Sequence, residues 1–159
     1  MSDDNKIQDL SKVRAARTTS GSTDGLKLAP GEELWPETIT TRGNTFVTDE
    51  LAGALEAIAT WSHEVTESKG FYDPGEIYDE STLLLMIHDE LSEANEARRR
   101  GNPPSTKIPG HTQVAEELAD ALLRILCFGK QHGHDVVAAV MAKGFYNVGR
   151  PYKHGGKKF

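Results

Sequence analysis

VAEELADALLRI, residues 114–125, is the stretch on which the fold turns. It places three acids, Glu116, Glu117 and Asp120, in a segment otherwise rich in Leu, Ile and Ala. With residues stepped at about 100° around a helix, these acids share a stripe with Gln113 and Arg124, opposite Leu118, Leu122 and Ile125. Taken alone, that stripe is the solvent face of an amphipathic helix. From Ala121 onward, however, ALLRILCF (121–128) is apolar on nearly every side, which predicts burial. The alternative is therefore that the acids face inward and hold a metal ion.

The preceding helical segment, STLLLMIHDELSEANEARRR (81–100), sharpens the choice. Leu83, Met86, Ile87, Ala94 and Ala97 all fall within about 60° of Glu90 on a helical projection. Glu90 thus sits in the middle of the apolar face, and Glu93, one turn on, at its edge. A carboxylate that points into a core is rare unless something pairs with it. If the two helices pack together, Glu117 and Asp120 can face Glu90 and Glu93, each pair spaced i, i+3. Two carboxylates about 6 Å apart repel by roughly 3 kcal/mol at an effective dielectric near 20. Four such groups either protonate in part or hold a divalent cation. Oxygen ligands alone, with no His or Cys at matching spacing, suit Mg²⁺ or Mn²⁺. A di-iron bundle would need Glu-x-x-His, and His132 and His134 flank a glycine at a helix end.

Two more helices complete an all-α, four-helix reading. TDELAGALEAIATWSHEVTES (48–68) lines up Leu51, Leu55, Ile58, Trp61 and Val65, with Thr48 as the N-cap. GFYDPGE (70–76) ends it, and GNPPSTKIPG (101–110) separates the second helix from the third, which spans about 112–131. The fourth starts behind Asp135 as N-cap and reaches about Val148. Residues 1–47, rich in Ser, Thr, Gly, Asp and Pro, read as an irregular or disordered N-terminal arm, tacked down by Trp35 and Phe46. Residues 48–159 form the helical domain with a basic C-terminal segment. No strand pattern longer than a few residues is evident.

At 159 residues, 37% hydrophobic and 26% charged, the composition is that of one soluble globular domain. There is no run long and apolar enough for a membrane span, and MSDDNKIQDL carries no secretory signal. The lone Cys127 lies in an apolar run, reads as core, and fits a reducing, cytoplasmic setting. Net charge is −6, but residues 143–159 hold five Lys or Arg and no acid, so the remainder carries −11. A chain this acidic is not a general nucleic-acid binder. In VVAAVMAKGFYNVGR, Lys143, Asn147 and Arg150 recur at i, i+4, i+7 in line with Val136 and Val140, as phosphate contacts would. A charged helix C-terminus is the bland reading of the same residues. Gly144 leaves room for a ligand or backbone to approach.

DELSE (89–93), followed by ELAD (117–120), resembles the E-x-x-E … E-x-x-D signature of the MazG-like all-α nucleoside triphosphate pyrophosphohydrolases. KGFYNVGRPYKHGGKKF (143–159) looks like the K-x-x-x-N-x-x-R-P ending of small, often phage-encoded members. The resemblance covers about residues 50–159. It implies a four-helix MazG-like bundle, with metal ligands and catalytic acids at Glu90, Glu93, Glu117 and Asp120. Phosphate and sugar contacts fall on Lys143, Asn147 and Arg150, and Tyr152, Lys153 and His154 close over the phosphates. Asp89 stands where many members carry Glu. Trp61 is either the aromatic of the base pocket or an interfacial or core anchor. The implied reaction is Mg²⁺-dependent hydrolysis, with Mn²⁺ as a possible substitute, of a (d)NTP between its α and β phosphates. Glu93 or Glu90 would accept the proton of the attacking water. The resemblance also implies a homodimer or homotetramer, which suits helices with more apolar surface than a small monomer buries.

Two other readings compete. One keeps the fold and makes the substrate phosphoribosyl-ATP. The other is a non-enzymatic helical interaction module whose acids merely solvate it.

Overall fold

The structure, a computed structural model, describes residues 37–41, 44–75 and 78–151. Strands β1 (Thr38–Thr41) and β2 (Asn44–Val47) precede helices α1 (Thr48–Ser68), α2 (Glu80–Arg99), α3 (Gln113–His132) and α4 (Val136–Val148). The described residues are all-helical apart from one small hairpin, as the periodicity predicted. Two compact units divide it: residues 37–57 with 135–151, and residues 58–134. The boundary falls inside α1. None of the described helices is long and apolar enough to cross a membrane.

The hairpin departs from the irregular arm expected before residue 48. TITT and NTFV pair antiparallel, from Thr38 opposite Val47 to Thr41 opposite Asn44. These strands are rich in β-branched residues, which favour the pleated backbone, but four residues give no readable alternation. Thr48 directly follows. It begins α1, and both its amide and its hydroxyl donate to the Glu37 carbonyl, at 3.1 and 2.9 Å. Phe46 is 40% exposed, and Trp35 lies outside the described residues.

In the second unit α2 and α3 run antiparallel, as four side-chain pairs show. Arg100 meets Gln113 at 3.3 Å, Glu93 and Glu90 approach Glu117, Arg124 meets Glu90 at 2.6 Å, and His132 meets Glu80 at 3.5 Å. Small residues, Ala94 and Ala97 on α2 and Ala121 on α3, are buried and let the backbones approach. Both helices start where their caps dictate. Asp79 accepts from the Thr82 amide at 3.1 Å, and Thr112 from the Ala115 amide at 3.4 Å. Gly133, at φ 73°, ends α3 in the left-handed conformation that glycine adopts without penalty.

The apolar stripe assigned to α1 is rotated from its expected place. Ala52, Ala59 and Ser62 are buried, whereas Leu51, Ile58, Trp61 and Val65 are at least 40% exposed. In the second unit Ser62 donates to the Leu123 carbonyl at 3.4 Å, and His63 pairs with Gln131 at 3.1 Å. The small residues thus face inward and the large ones flank them. A helical projection finds the large side chains and cannot weigh close approach against them.

Candidate metal centre

On α3 the burial is the reverse of a wet face. Glu116 and Glu117 are buried, while Leu118 and Leu122 are about half exposed. On α2 Glu90 is buried beside Ala94 and Ala97, as its place on the apolar face predicted, and Glu93 is exposed. The antiparallel pairing brings oxygens of Glu90, Glu93 and Glu117 within 4.8 Å of one another. Oxygens of Glu116, Glu117 and Asp120 form a second group within the same limit. All four acids named from the sequence therefore belong to two triads that share Glu117.

Protein cations account for two of these acids. The Arg124 Nε donates to Glu90 Oε1 at 2.6 Å, and the Lys107 Nζ lies 2.8 Å from Glu116 Oε1. That pairing holds the Glu116 carboxyl below its usual value, with help from a Ser105 hydrogen bond, and raises Lys107. The loop between α2 and α3 is built to deliver Lys107. Ser105 Oγ accepts from the amides of Lys107 and Ile108, at 3.1 and 2.9 Å. Asn102, at φ 52°, turns the chain and accepts from the Val114 amide through its side chain.

Glu117 has no such partner. It is 8% exposed, and its Oε2 has no hydrogen-bond partner among the described residues. Burial raises its pKa first, and the charge of Glu93 adds to the rise. A buried carboxylate oxygen without a donor is costly, and it is what a missing cation would leave behind. Hard oxygens from Glu90, Glu93, Glu117 and Asp120 fit Mg²⁺ or Mn²⁺ in type. Arg124 bonds Glu90 through Oε1, so a cation drawing on Glu90 would contend with it for that carboxylate.

A cleft of about 340 Å³ adjoins this centre, and Asp120 and Arg124 form part of its wall. Most of the rest is apolar or aromatic: Trp61, Phe71, Tyr72, Tyr78 and Phe128, with Gln131 among the few polar groups. The size lies at the small end of ligand pockets. Trp61 thus lines a cleft and is 60% exposed, which removes the core-anchor reading. Cys127 is buried as expected and lies 2.6 Å from the Tyr72 hydroxyl. Burial and that contact push the Tyr72 pKa up.

Lys143, Asn147 and Arg150 belong to the other unit, on α4 and just beyond it. Lys143 Nζ lies 4.5 Å from the centroid of the Tyr146 ring and Arg150 Cζ 5.8 Å from it. A Cβ on Gly144 would meet nothing within 4 Å among the described residues, so no protein backbone there explains the glycine. Tyr152, Lys153 and His154 lie outside the described residues.

Sequence reasoning did not single out Lys107 or Ser105, which sit in a loop 9 and 11 residues before Glu116. It placed Arg124 on the acidic stripe without a partner. The signal available was charge: two cations flank a run of acids that a core could not otherwise hold. No protein-family model matches the chain, and no curated protein or solved structure matches it.

Proposed function

We propose that the chain is a MazG-like, divalent-metal-dependent nucleoside triphosphate pyrophosphohydrolase, cleaving a (d)NTP to (d)NMP and pyrophosphate. One observation carries this reading: the buried, unpartnered Glu117 oxygen at the junction of two carboxylate triads, beside an aromatic cleft. Glu90, Glu93, Glu117 and Asp120 would hold Mg²⁺. Bound there, the ion would draw charge from phosphate oxygens and acidify a coordinated water. Glu93 is the exposed acid of the first triad and so the one open to water, and we assign it as proton acceptor from the attacking water. Trp61 would stack on the base. Lys143, Asn147 and Arg150 enter as phosphate contacts on their spacing alone. Leu118, Leu122 and Ile125 on α3, with Leu84, Leu85 and Leu91 on α2, are large apolar side chains left exposed, which supports a homodimer or homotetramer. A cytoplasmic setting rests on the single cysteine.

One observation favours the non-enzymatic module: Arg124 and Lys107 neutralise Glu90 and Glu116 without any ion. It leaves Glu117 unexplained. Incubating the protein with each NTP and dNTP, with Mg²⁺ or with EDTA, and resolving the products separates the readings. Monophosphate plus pyrophosphate, lost in EDTA and in Glu117→Gln, is the expected result. Release of single phosphates, or turnover that survives EDTA, would overturn the proposal. Turnover of phosphoribosyl-ATP alone would move the substrate within the same fold.

A further inference from the structure

We propose that Arg124 is the phosphate-binding cation of the cleft, held on Glu90 until a divalent ion takes over that carboxylate. The inference rests on the reading of the acid cluster as a metal centre. Arg124 lies one turn beyond Asp120 and two beyond Glu117, so its stem leaves α3 on the face that carries the acids. Its Nε is bonded to Glu90 Oε1 at 2.6 Å, where the carboxylate side chain is only 10% exposed. The arginine side chain itself is 42% exposed and forms part of the cleft wall. One edge of the guanidinium is therefore committed to the acid cluster. Nη1 and Nη2 have no hydrogen-bond partner among the described residues.

Among the described residues that line the cleft, Arg124 is also the only Lys or Arg. Lys107 is engaged by Glu116 and does not line it. An anion that follows a flat aromatic group into this cleft thus meets Arg124, with Asp120 beside it. The planar, five-donor fork of arginine fits two phosphate oxygens at once. In the free protein the same charge offsets part of the repulsion among Glu90, Glu93 and Glu117. Once a metal ion neutralises Glu90, the guanidinium loses its reason to stay there and is available to phosphate. The metal and Arg124 therefore compete for Glu90 yet cooperate on a phosphate ligand.

This makes two opposite predictions for one substitution. Calorimetric titration with Mn²⁺ alone should find Arg124→Gln binding the ion roughly tenfold tighter than the wild type, because a nearby positive charge is gone. Titration with inorganic tripolyphosphate at saturating Mn²⁺ should find the same variant about 10- to 100-fold weaker, the worth of a charge-assisted hydrogen bond. Arg124→Lys keeps the charge but not the fork. It should leave Mn²⁺ affinity near the wild-type value and still weaken tripolyphosphate. A merely structural arginine would weaken both ligands together in Arg124→Gln, and that result, or no change in either, overturns the inference. If Arg124→Gln loses its helical circular dichroism, Arg124→Lys decides, and unchanged tripolyphosphate binding in it overturns the inference. A wild type that binds no Mn²⁺ overturns the metal-centre reading itself, and this inference with it. A wild type that binds Mn²⁺ with both variants indistinguishable from it overturns only the role of Arg124.

Discussion

Glu117 and Glu116 are neighbours in sequence with opposite electrostatic fates. Glu116 meets Lys107 and has its pKa lowered; Glu117 meets burial and Glu93 and has its pKa raised. The sign of each effect on stability follows by linkage. A carboxyl raised in the folded state contributes stability that is present below its ordinary value of 4.5 and is lost as pH rises through the folded value. In EDTA, Glu117→Gln should therefore melt a few degrees above wild type at pH 7, with the gap closing at pH 4. Equal melting temperatures at pH 7 would mean that the buried carboxylate costs nothing. Glu116 runs the other way: its contribution is present above 4.5 and falls away as acid protonates it. Lys107→Ala should lower the melting temperature at neutral pH by a small amount, since the lysine is mostly in solvent, and the loss should fade below pH 4.

The α2–α3 pair is what turns four scattered acids into a centre. Its register is held by side chains at both ends, and its closeness by alanines in the middle. Ala121 is buried between the positions of Glu117 and Arg124 on α3. Ala121→Leu should overpack the pair at a cost of about 1–3 kcal/mol. It should also weaken Mn²⁺ binding, because pushing the helices apart separates the triads. Chemical denaturation and Mn²⁺ titration of the same variant read both effects. At the start of α2, Asp79→Ala removes a cap that serves both the amide and the hydroxyl of Thr82. The expected loss in denaturation is of the order found for other N-caps, and Asp79→Asn should restore most of it.

At the scale of the whole molecule, the surface is the informative feature. Leucines at 84, 85, 91, 118 and 122 are exposed in a 17.4 kDa chain, more than a small monomer usually presents. Light scattering should give at least twice the chain mass, and Leu122→Glu should reduce it. A monomer at all concentrations would remove the assembly from the proposal. Ligand linkage gives a second test at this scale. Mg²⁺ at about 100 times its dissociation constant should add roughly 2.7 kcal/mol of stability, a shift of several degrees in the melting curve. Calcium, larger and satisfied by looser geometry, should stabilise the protein as well.

Sequence alone determined the four helices, the cap of the last at Asp135 and the breaks at residues 70–76 and 101–110, because local periodicity and turn chemistry act over a few residues. It also determined that Glu90 faces inward, since its helical neighbours on that face are all apolar. Tertiary structure decided the rest. Whether Glu116 and Glu117 are wet or buried depends on which side of α3 receives α2, and helical projection of α3 by itself gave the wrong side. The pairings of Arg124 with Glu90 and Lys107 with Glu116 join residues 34 and 9 positions apart through helix packing and a loop. The inward face of α1 went to Ala52, Ala59 and Ser62 rather than to its large side chains, because close backbone approach is a property of two elements together. The hairpin at 38–47 escaped because each of its strands is stabilised only by the other.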